Sequence, residues 1–464
     1  MAAAMLQRKD IPAAMPASEI LPPATPELDT VAPRRKARRP ATFRSLRHRN
    51  YRLWFFGQGV SLIGTWMQTM AQQVLVYRLT NSATALGAVN FISLIPLVPL
   101  ALWGGSLSDR ISRRTVILTC QSIMLVQALV LAALTWSNTV QIWHVYLLTL
   151  VLGAANAVDL PARQAFVVDM VRDKEDLTNA IGLNSTIFNL ARALGPALAG
   201  IAVATTGEGT AFFLNALSFL AVIVSLLLMR DLPTPAPQEI QTSVGGHVLE
   251  GLKFIFKQQA ILVLISLVSV SAFLSMPYNT LMPVFAGVVL KRSAQPVVDF
   301  ACGGRSPLLS CQSPDALVLG ILLTAVGIGA VTGALLVASL PNDARRGHIL
   351  TIGNLAFPVV LLLFAGSRSF YLSAGALVLV GISFVVQNSL ANTLLQLVTP
   401  DKMRGRVMSL YSLTFQGMMR AGGMQAGLVA DALGAPVSVA IGAVVSLAYG
   451  LFVALRYPKV RDMA

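Results

Sequence analysis

Apolar stretches long enough to cross a hydrocarbon core recur along this chain, and no other feature constrains its fold as strongly. A helix needs roughly 20 apolar residues to span ~30 Å of lipid. Windows of that kind lie near 53–77, 84–108, 115–136, 141–163, 180–204 and 210–229. After a polar break six more follow, near 259–285, 316–340, 348–366, 370–396, 407–430 and 434–455. Strand-like alternation is absent and runs of Leu, Ala and Val dominate, so helices rather than a closed barrel satisfy the backbone in lipid. Composition agrees, since 55% of the 464 residues are hydrophobic and only 12% are charged, outside the range of a soluble globular chain. The expectation is an all-α membrane protein with twelve transmembrane helices.

A net charge of +15 would suit a nucleic-acid partner, but the positions of the charges argue otherwise. Lys and Arg concentrate between Arg34 and Arg52 and then in alternate connections, at Arg110/Arg113/Arg114, Arg172/Lys174, Lys253/Lys257, Arg345/Arg346 and Lys402/Arg404/Arg406. The connections between them carry few, which is the positive-inside pattern of a chain with both termini cytoplasmic in a cell (plasma or inner) membrane. Residues 1–50 are rich in proline and lack a signal-peptide core, so they read as a disordered basic arm. Its "RRKARRP" end would rest against anionic lipid headgroups.

The chain repeats itself. "NAIGLNSTIFNLARALGPALAG" (179–200) aligns without a gap on "RVMSLYSLTFQGMMRAGGMQAG" (406–427). Ser185 meets Ser412, Asn189 meets Gln416, Gly195 meets Gly422 and Gly200 meets Gly427, all at one constant offset along the chain. Two pseudo-symmetric six-helix halves, 51–230 and 259–456, are therefore expected, separated by a cytoplasmic linker at 231–258 and followed by a tail at 457–464. A surface-lying helix is expected in the linker at Val248–Phe256.

Between the second and third spans lies "GGSLSDRISRR" (104–114), a charged cluster in nearly uncharged surroundings. Gly105, Asp109, Arg110, Arg113 and Arg114 resemble the signature loop of the major facilitator superfamily, G-x-x-x-D-R-x-G-R-R, with Ser112 in place of the second glycine. The resemblance covers nearly the whole chain after residue 45. It implies two rocking six-helix halves, with Asp109 latching the cytoplasmic side against the start of span eleven, at the Gly405–Val407 amides or the Arg406 side chain. An anion at a helix N-terminus is favoured there by unpaired N–H groups and the helix dipole.

Polar residues at helical spacing mark faces within the spans. Span one carries Gln58, Ser61, Thr65, Gln68 and Gln72, expected to look into a substrate cavity. Asn156, Asn189, Arg192, Tyr278, Asn392, Gln416 and Arg420 are expected to join them, Arg192 and Arg420 attracting an anionic part of a substrate. Helix-to-helix gluing is the competing role for such residues. Asp159 and Arg163, one turn apart in span four, read either as an internal ion pair or as a titrating site for coupling. "ARALGPALAG" (191–200) resembles the fifth-helix motif of proton-driven drug antiporters. It keeps Gly195, Pro196 and Gly200, which allow close helix approach and a kink.

"GTWMQTMAQQVLVYRLTNSATALG" (64–87) and "DLPARQAFVVDMV" (159–171) look like the branch that includes the bacterial enterobactin exporter and macrolide efflux proteins. That resemblance implies export of a small organic molecule, drug-like or siderophore-like, by proton antiport, without a cofactor. An importer of the same fold would keep every one of these features, whereas a non-transporting membrane sensor would not need cavity-lining stripes in several helices. No ATP-binding loop occurs, and His48, His144, His247 and His348 lie apart with no metal-ligand spacing, so neither a pump, an enzyme nor a metal site is expected. The protein is expected to work as a monomer. Cys302 and Cys311 fall in one outer connection, where a bridge can form although spacing alone does not show it.

Overall fold

A computed structural model of the chain describes residues 43–97, 99–100, 112–171, 174–230, 232, 244–303, 310–341 and 344–461. Gly105, Asp109 and Arg110, residues 1–42, and residues 231 and 233–243 of the linker lie outside the described residues, as do the expectations for the Asp109 latch and for the arm up to residue 42. At 43–50, where a disordered arm is expected, the chain instead forms the short 3-10 turn Arg44–Arg47 and enters the helix that begins at Arg49. Everything described is helix or short connection. The helices are α1 (Arg49–Thr80), α2 (Ala83–Leu94), α3 (Arg113–Trp136), α4 (Ile142–Met170), α5 (Lys174–Thr206), α6 (Glu208–Leu227) and α7 (Val244–Lys257). Then come α8 (Gln259–Val289), α9 (Lys291–Cys302), α10 (Pro314–Ala338), α11 (Arg346–Gly366), α12 (Phe370–Val398), α13 (Asp401–Leu433) and α14 (Ala435–Arg456).

Among the described residues, nine helices are long and apolar enough to cross a membrane. The long helices α1 and α13 fall outside that group because each carries polar side chains at helical spacing: Gln58, Gln68, Gln72 and Gln73 in α1, and Arg404, Arg406, Gln416 and Arg420 in α13. Such side chains are tolerated when they face protein or a cavity instead of lipid.

α1 packs against α5 and α6, and α3 against α4 and α6; later in the chain α12 packs against α10 and α11, and α14 against α11. Two seams join these groups, α5 along α10 and α2 along α13. Small residues set both. A side chain on Gly200 would come 3.0 Å from the Cα of Gly320, and one on Gly427 would come 2.4 Å from the Ala83 carbonyl oxygen. Gly195 and Gly422 instead press on the first helix of each group: a Cβ would reach 2.4 Å from the Trp66 side chain in the former and 2.1 Å from the Phe273 carbonyl oxygen in the latter. Pro277 has no N–H to give the Phe273 carbonyl in an α-helical pattern, and α8 passes through π and 3-10 geometry from Ser271 to Leu281.

The offset of the repeat reappears at the turns. Gly207 (φ +83°) connects α5 to α6, and its counterpart Gly434 (φ +91°) connects α13 to α14. Both backbones lie where only glycine is unstrained.

One connection differs from its sequence reading, and in another the structure supplies the cysteine geometry that spacing alone does not show. The linker helix α7 runs over Val244–Lys257, longer than the expected Val248–Phe256. The segment after α8 opens with the amphipathic helix α9, whose final Cys302 is bridged to Cys311. We call the end of the bundle with this disulfide the disulfide end, and the opposite one, with Arg113, Arg114, Arg345, Arg346 and Arg406, the basic end.

Candidate functional site: a two-arginine cleft between the seams

A cleft runs between α1, α5, α8 and α10 on one side and reaches α2, α4 and α13 on the other. Thr69 and Gln73 of α1 line both of its compartments. The smaller, about 30 Å³, lies against Trp66, Arg192 and Asn279. The larger, about 230 Å³, lies against Asn90, Asn156 and Arg420. Among the described residues these walls contain two guanidinium groups and no carboxylate.

Arg192 lies over two aromatic faces, 5.9 Å from the Trp66 ring centroid and 5.2 Å from that of Phe384. Trp66 in turn meets Phe188 edge-on, and Phe384 neighbours Phe357 and Phe415. A cation–π contact contributes ~0.5–2 kcal/mol depending on desolvation and leaves the N–H donors of the guanidinium unneutralised. Arg420 donates to the Gln416 amide oxygen at 3.3 Å. Asn156 and Asn189 donate to carbonyls in their own helices, Asn392 accepts from Gln396 at 2.6 Å, and Tyr278 is buried edge-on to Phe357.

The glutamine stripe of span one sits elsewhere than expected. Gln58, Ser61, Gln68 and Gln72 are all buried. Gln68 donates to Gln127 of α3 (3.1 Å) and accepts from Asn215 of α6 (2.6 Å), while Gln72 donates to Thr149 of α4 (2.7 Å). Satisfying buried amides in this way glues helices together, so this face holds α1 to α3, α4 and α6, although Gln72 also borders the larger compartment. Thr65 is exposed and bonds back to the Ser61 carbonyl. The face that does line the cleft, Trp66, Thr69 and Gln73, recurs at steps of three and four along the same helix and was the weaker signal because it mixes aromatic and polar types. Trp66 is legible as an aromatic edge of the cavity, whereas Asn90, Asn279 and Phe384 carry no such signal in the sequence.

Asp159 is buried in α4, ion-paired to Arg163 and accepting from Gln121 at 3.3 Å. The second half of the signature loop staples three helices: Arg113 pairs with Asp169 at 2.6 Å, and Arg114 donates to the Leu227 carbonyl at 3.2 Å. Ser112, which replaces the motif's glycine, caps α3 by accepting from Thr115 N. Arg406 pairs with Glu250 of α7 at 2.7 Å; its expected contact with Asp109 falls outside the described residues.

At the basic end, Asp176 near the start of α5 receives Arg44 (2.6 Å), Arg47 (2.7 Å) and His48 (2.8 Å) from the turn that precedes α1. The hydrogen bond from His48 together with the two arginines outweighs burial and holds the Asp176 carboxyl below the usual carboxylate range. Ser45 donates to Asn179 beside it at 2.6 Å.

The sequence profile of the transmembrane secretion effector family matches residues 40–297 and 304–464. The chain belongs to this family. It is a multi-pass transporter of the major facilitator superfamily, and its relatives are named as transporters. It is 25% identical over 387 residues to the staphyloferrin A transporter of Staphylococcus aureus (strain NCTC 8325 / PS 47), covering 82% of this chain and 90% of that one. It is 24% identical over 366 residues to the enterobactin exporter EntS of Shigella flexneri, covering 79% and 81%. The fold resembles the crystal structure of the nucleoside transporter NupG, with TM-score 0.66 and 16% identity over 89% of this chain and 99% of that one. A bacterial homologue of the human lysosomal transporter Spinster, in an inward-facing and occupied conformation, superposes with TM-score 0.63 and 13% identity over 89% and 97%.

Proposed function

We propose that this transporter exports an anionic, amphipathic small molecule of the siderophore or drug type by alternating access, in exchange for protons. The observation that carries the substrate reading is Arg192, held between Trp66 and Phe384 in a cleft whose described walls offer Arg420 and no acidic side chain. Guanidinium donors matched to a carboxylate or phenolate, beside aromatic faces, suit an aromatic or acyl anion. Direction and coupling follow the resemblance to exporters, and the relatives named for staphyloferrin A and enterobactin support the siderophore class.

Twelve spans in two halves, with the basic end cytoplasmic, complete the proposal. Its supports are the charge distribution and the glycine pairs that share the offset of the repeat: Gly195/Gly422, Gly200/Gly427 and Gly207/Gly434. Ser185 and Ser412, another such pair, share the same exposed environment in the two copies. On closing, Asp109 takes the start of α13, and Arg406 exchanges Glu250 for it, with Gly105 and Arg110 shaping the loop. Asp159 and Arg163 act as an internal ion pair holding α4.

The test is purified protein in liposomes under an imposed pH gradient, with proton flux followed as catecholate and carboxylate siderophores, macrolides and cationic dyes are added. Flux triggered by an anionic compound is expected. Flux triggered only by cationic dyes would overturn the substrate reading, and substrate movement indifferent to the gradient would overturn antiport.

A further inference from the structure

At the disulfide end, the two seams are closed by two contacts that the repeat relates. In one, the Ala204 carbonyl of α5 accepts from Gln312 N (2.6 Å) and Ser313 N (3.1 Å), the residues that lead into α10. In the other, at the position that the repeat aligns with Ala204, the Asp431 carboxylate of α13 accepts from Ser82 Oγ (2.6 Å), Ala83 N (2.7 Å) and Thr84 N (2.9 Å), the first turn of α2. Both contacts therefore join the last turn of one helix to unpaired N–H groups at the start of its seam partner. They differ in strength. A carbonyl accepts two neutral bonds, whereas a carboxylate at a helix N-terminus accepts charge-assisted ones and faces the positive end of the helix dipole.

Just inside the contact the α2 and α13 backbones touch, with a Gly87 Cβ placed 2.5 Å from the Gly423 carbonyl oxygen and a Gly427 Cβ 2.4 Å from that of Ala83. With no side chains between the backbones there, opening this seam by rocking must pull Asp431 off α2. Two ion pairs lie at this end, Arg78 with Glu208 at 2.8 Å and Lys291 with Asp315 at 3.6 Å, and neither involves Asp431. Asp431 has no cation bound to it among the described contacts, so its carboxylate is given wholly to α2.

We propose that Asp431 is the latch of the disulfide end: its carboxylate, docked on the first turn of α2, holds that end of the cleft shut and must be released in each transport cycle. The inference rests on the alternating-access reading above, and it assigns a gating role to a residue outside the signature loop. The Asp109 latch expected at the basic end has the same chemistry, a carboxylate at a helix N-terminus, so the two ends would be closed by opposite members of one helix pair. By that expectation Asp109 would reach from the end of the second span to the start of α13, whereas Asp431 reaches from the end of α13 to the start of α2.

The test is cysteine accessibility with a membrane-impermeant maleimide on the full-length protein in right-side-out and inside-out vesicles. Thr139→Cys, in the exposed turn between α3 and α4, reports which side the disulfide end faces. Gln73→Cys, inside the cleft, is then probed from that side. Asp431→Asn is expected to raise the labelling rate of Gln73→Cys about ten-fold, while Asp431→Glu raises it far less because the charge is kept. Thr139→Cys reacts equally in all backgrounds if the variants are folded. An unchanged rate at Gln73→Cys in Asp431→Asn, with Thr139→Cys reacting normally, would overturn the latch. A Thr139→Cys that reacts only from the cytoplasmic side would overturn the orientation alone, leaving the latch to be judged on the Gln73→Cys rates from that side.

Discussion

Gly207 and Gly434 turn the chain at the same point of two copies of one motif, with φ +83° and +91°. The turn sets the angle at which α5 meets α6 and α13 meets α14, and hence the positions of Ala204 and Asp431 just before it. Gly207→Ala and Gly434→Ala are each expected to destabilise the protein by about 1–3 kcal/mol, since a Cβ is strained at such angles. A thermal midpoint in detergent lowered to a similar degree by both would bear this out.

Arg192 is held by aromatic faces instead of a carboxylate. Arg192→Met is expected to raise the apparent KM for the anionic substrate about ten-fold, the equivalent of ~1.4 kcal/mol, with little change in thermal midpoint. Arg192→Lys should fall between the two, because an ammonium keeps the charge and loses the planar fork. Transport kinetics on the three proteins at equal membrane levels decide it.

Asp159→Asn leaves the half-buried Arg163 beside a neutral partner, and with one end of the pair reaching solvent the cost is expected at or below the low end of the roughly 3–5 kcal/mol seen for fully buried pairs. The double variant Asp159→Leu/Arg163→Met is expected to be more stable than the single one. If Asp159→Asn is instead fully stable and transport loses its dependence on the pH gradient, the pair is the coupling site and not a structural lock.

The turn before α1 is held by a carboxylate whose folded pKa is lowered. Its contribution is therefore present at neutral pH, above the ordinary value of ~3.9, and is lost only as pH falls through the lower folded value. Hydrogen exchange at residues 44–48, corrected for intrinsic pH dependence, should stay slow from neutral pH down to about 4. Asp176→Asn should make it fast at neutral pH.

Helix positions and the register of the repeat were legible in the sequence because hydrophobic length and repeated glycines are local signals. The same register led to features no single residue announces, such as the equivalence of Ala204 and Asp431, where one copy uses a carbonyl and the other a side chain. The direction of a polar face was not legible. Gln68 and Thr69 are adjacent, yet one bonds Gln127 and Asn215 while the other lines the cleft, and only the neighbours' positions distinguish them. Arg192 was identifiable as an intramembrane charge, but its aromatic partner Phe384 lies far along the chain, in α12. The bridge between Cys302 and Cys311 likewise depended on geometry, here a Cα separation of 5.4 Å.

The central claim is that an anionic molecule bound at Arg192 leaves in exchange for protons, and substrate-triggered proton flux in liposomes tests it most directly. With wild-type protein, an anionic siderophore or drug is expected to trigger flux only when a pH gradient is imposed, and Arg192→Met should require about ten-fold more of that compound for the same response. Flux triggered by cationic compounds alone, or an Arg192→Met protein that responds to the anion as wild type does, would contradict the account.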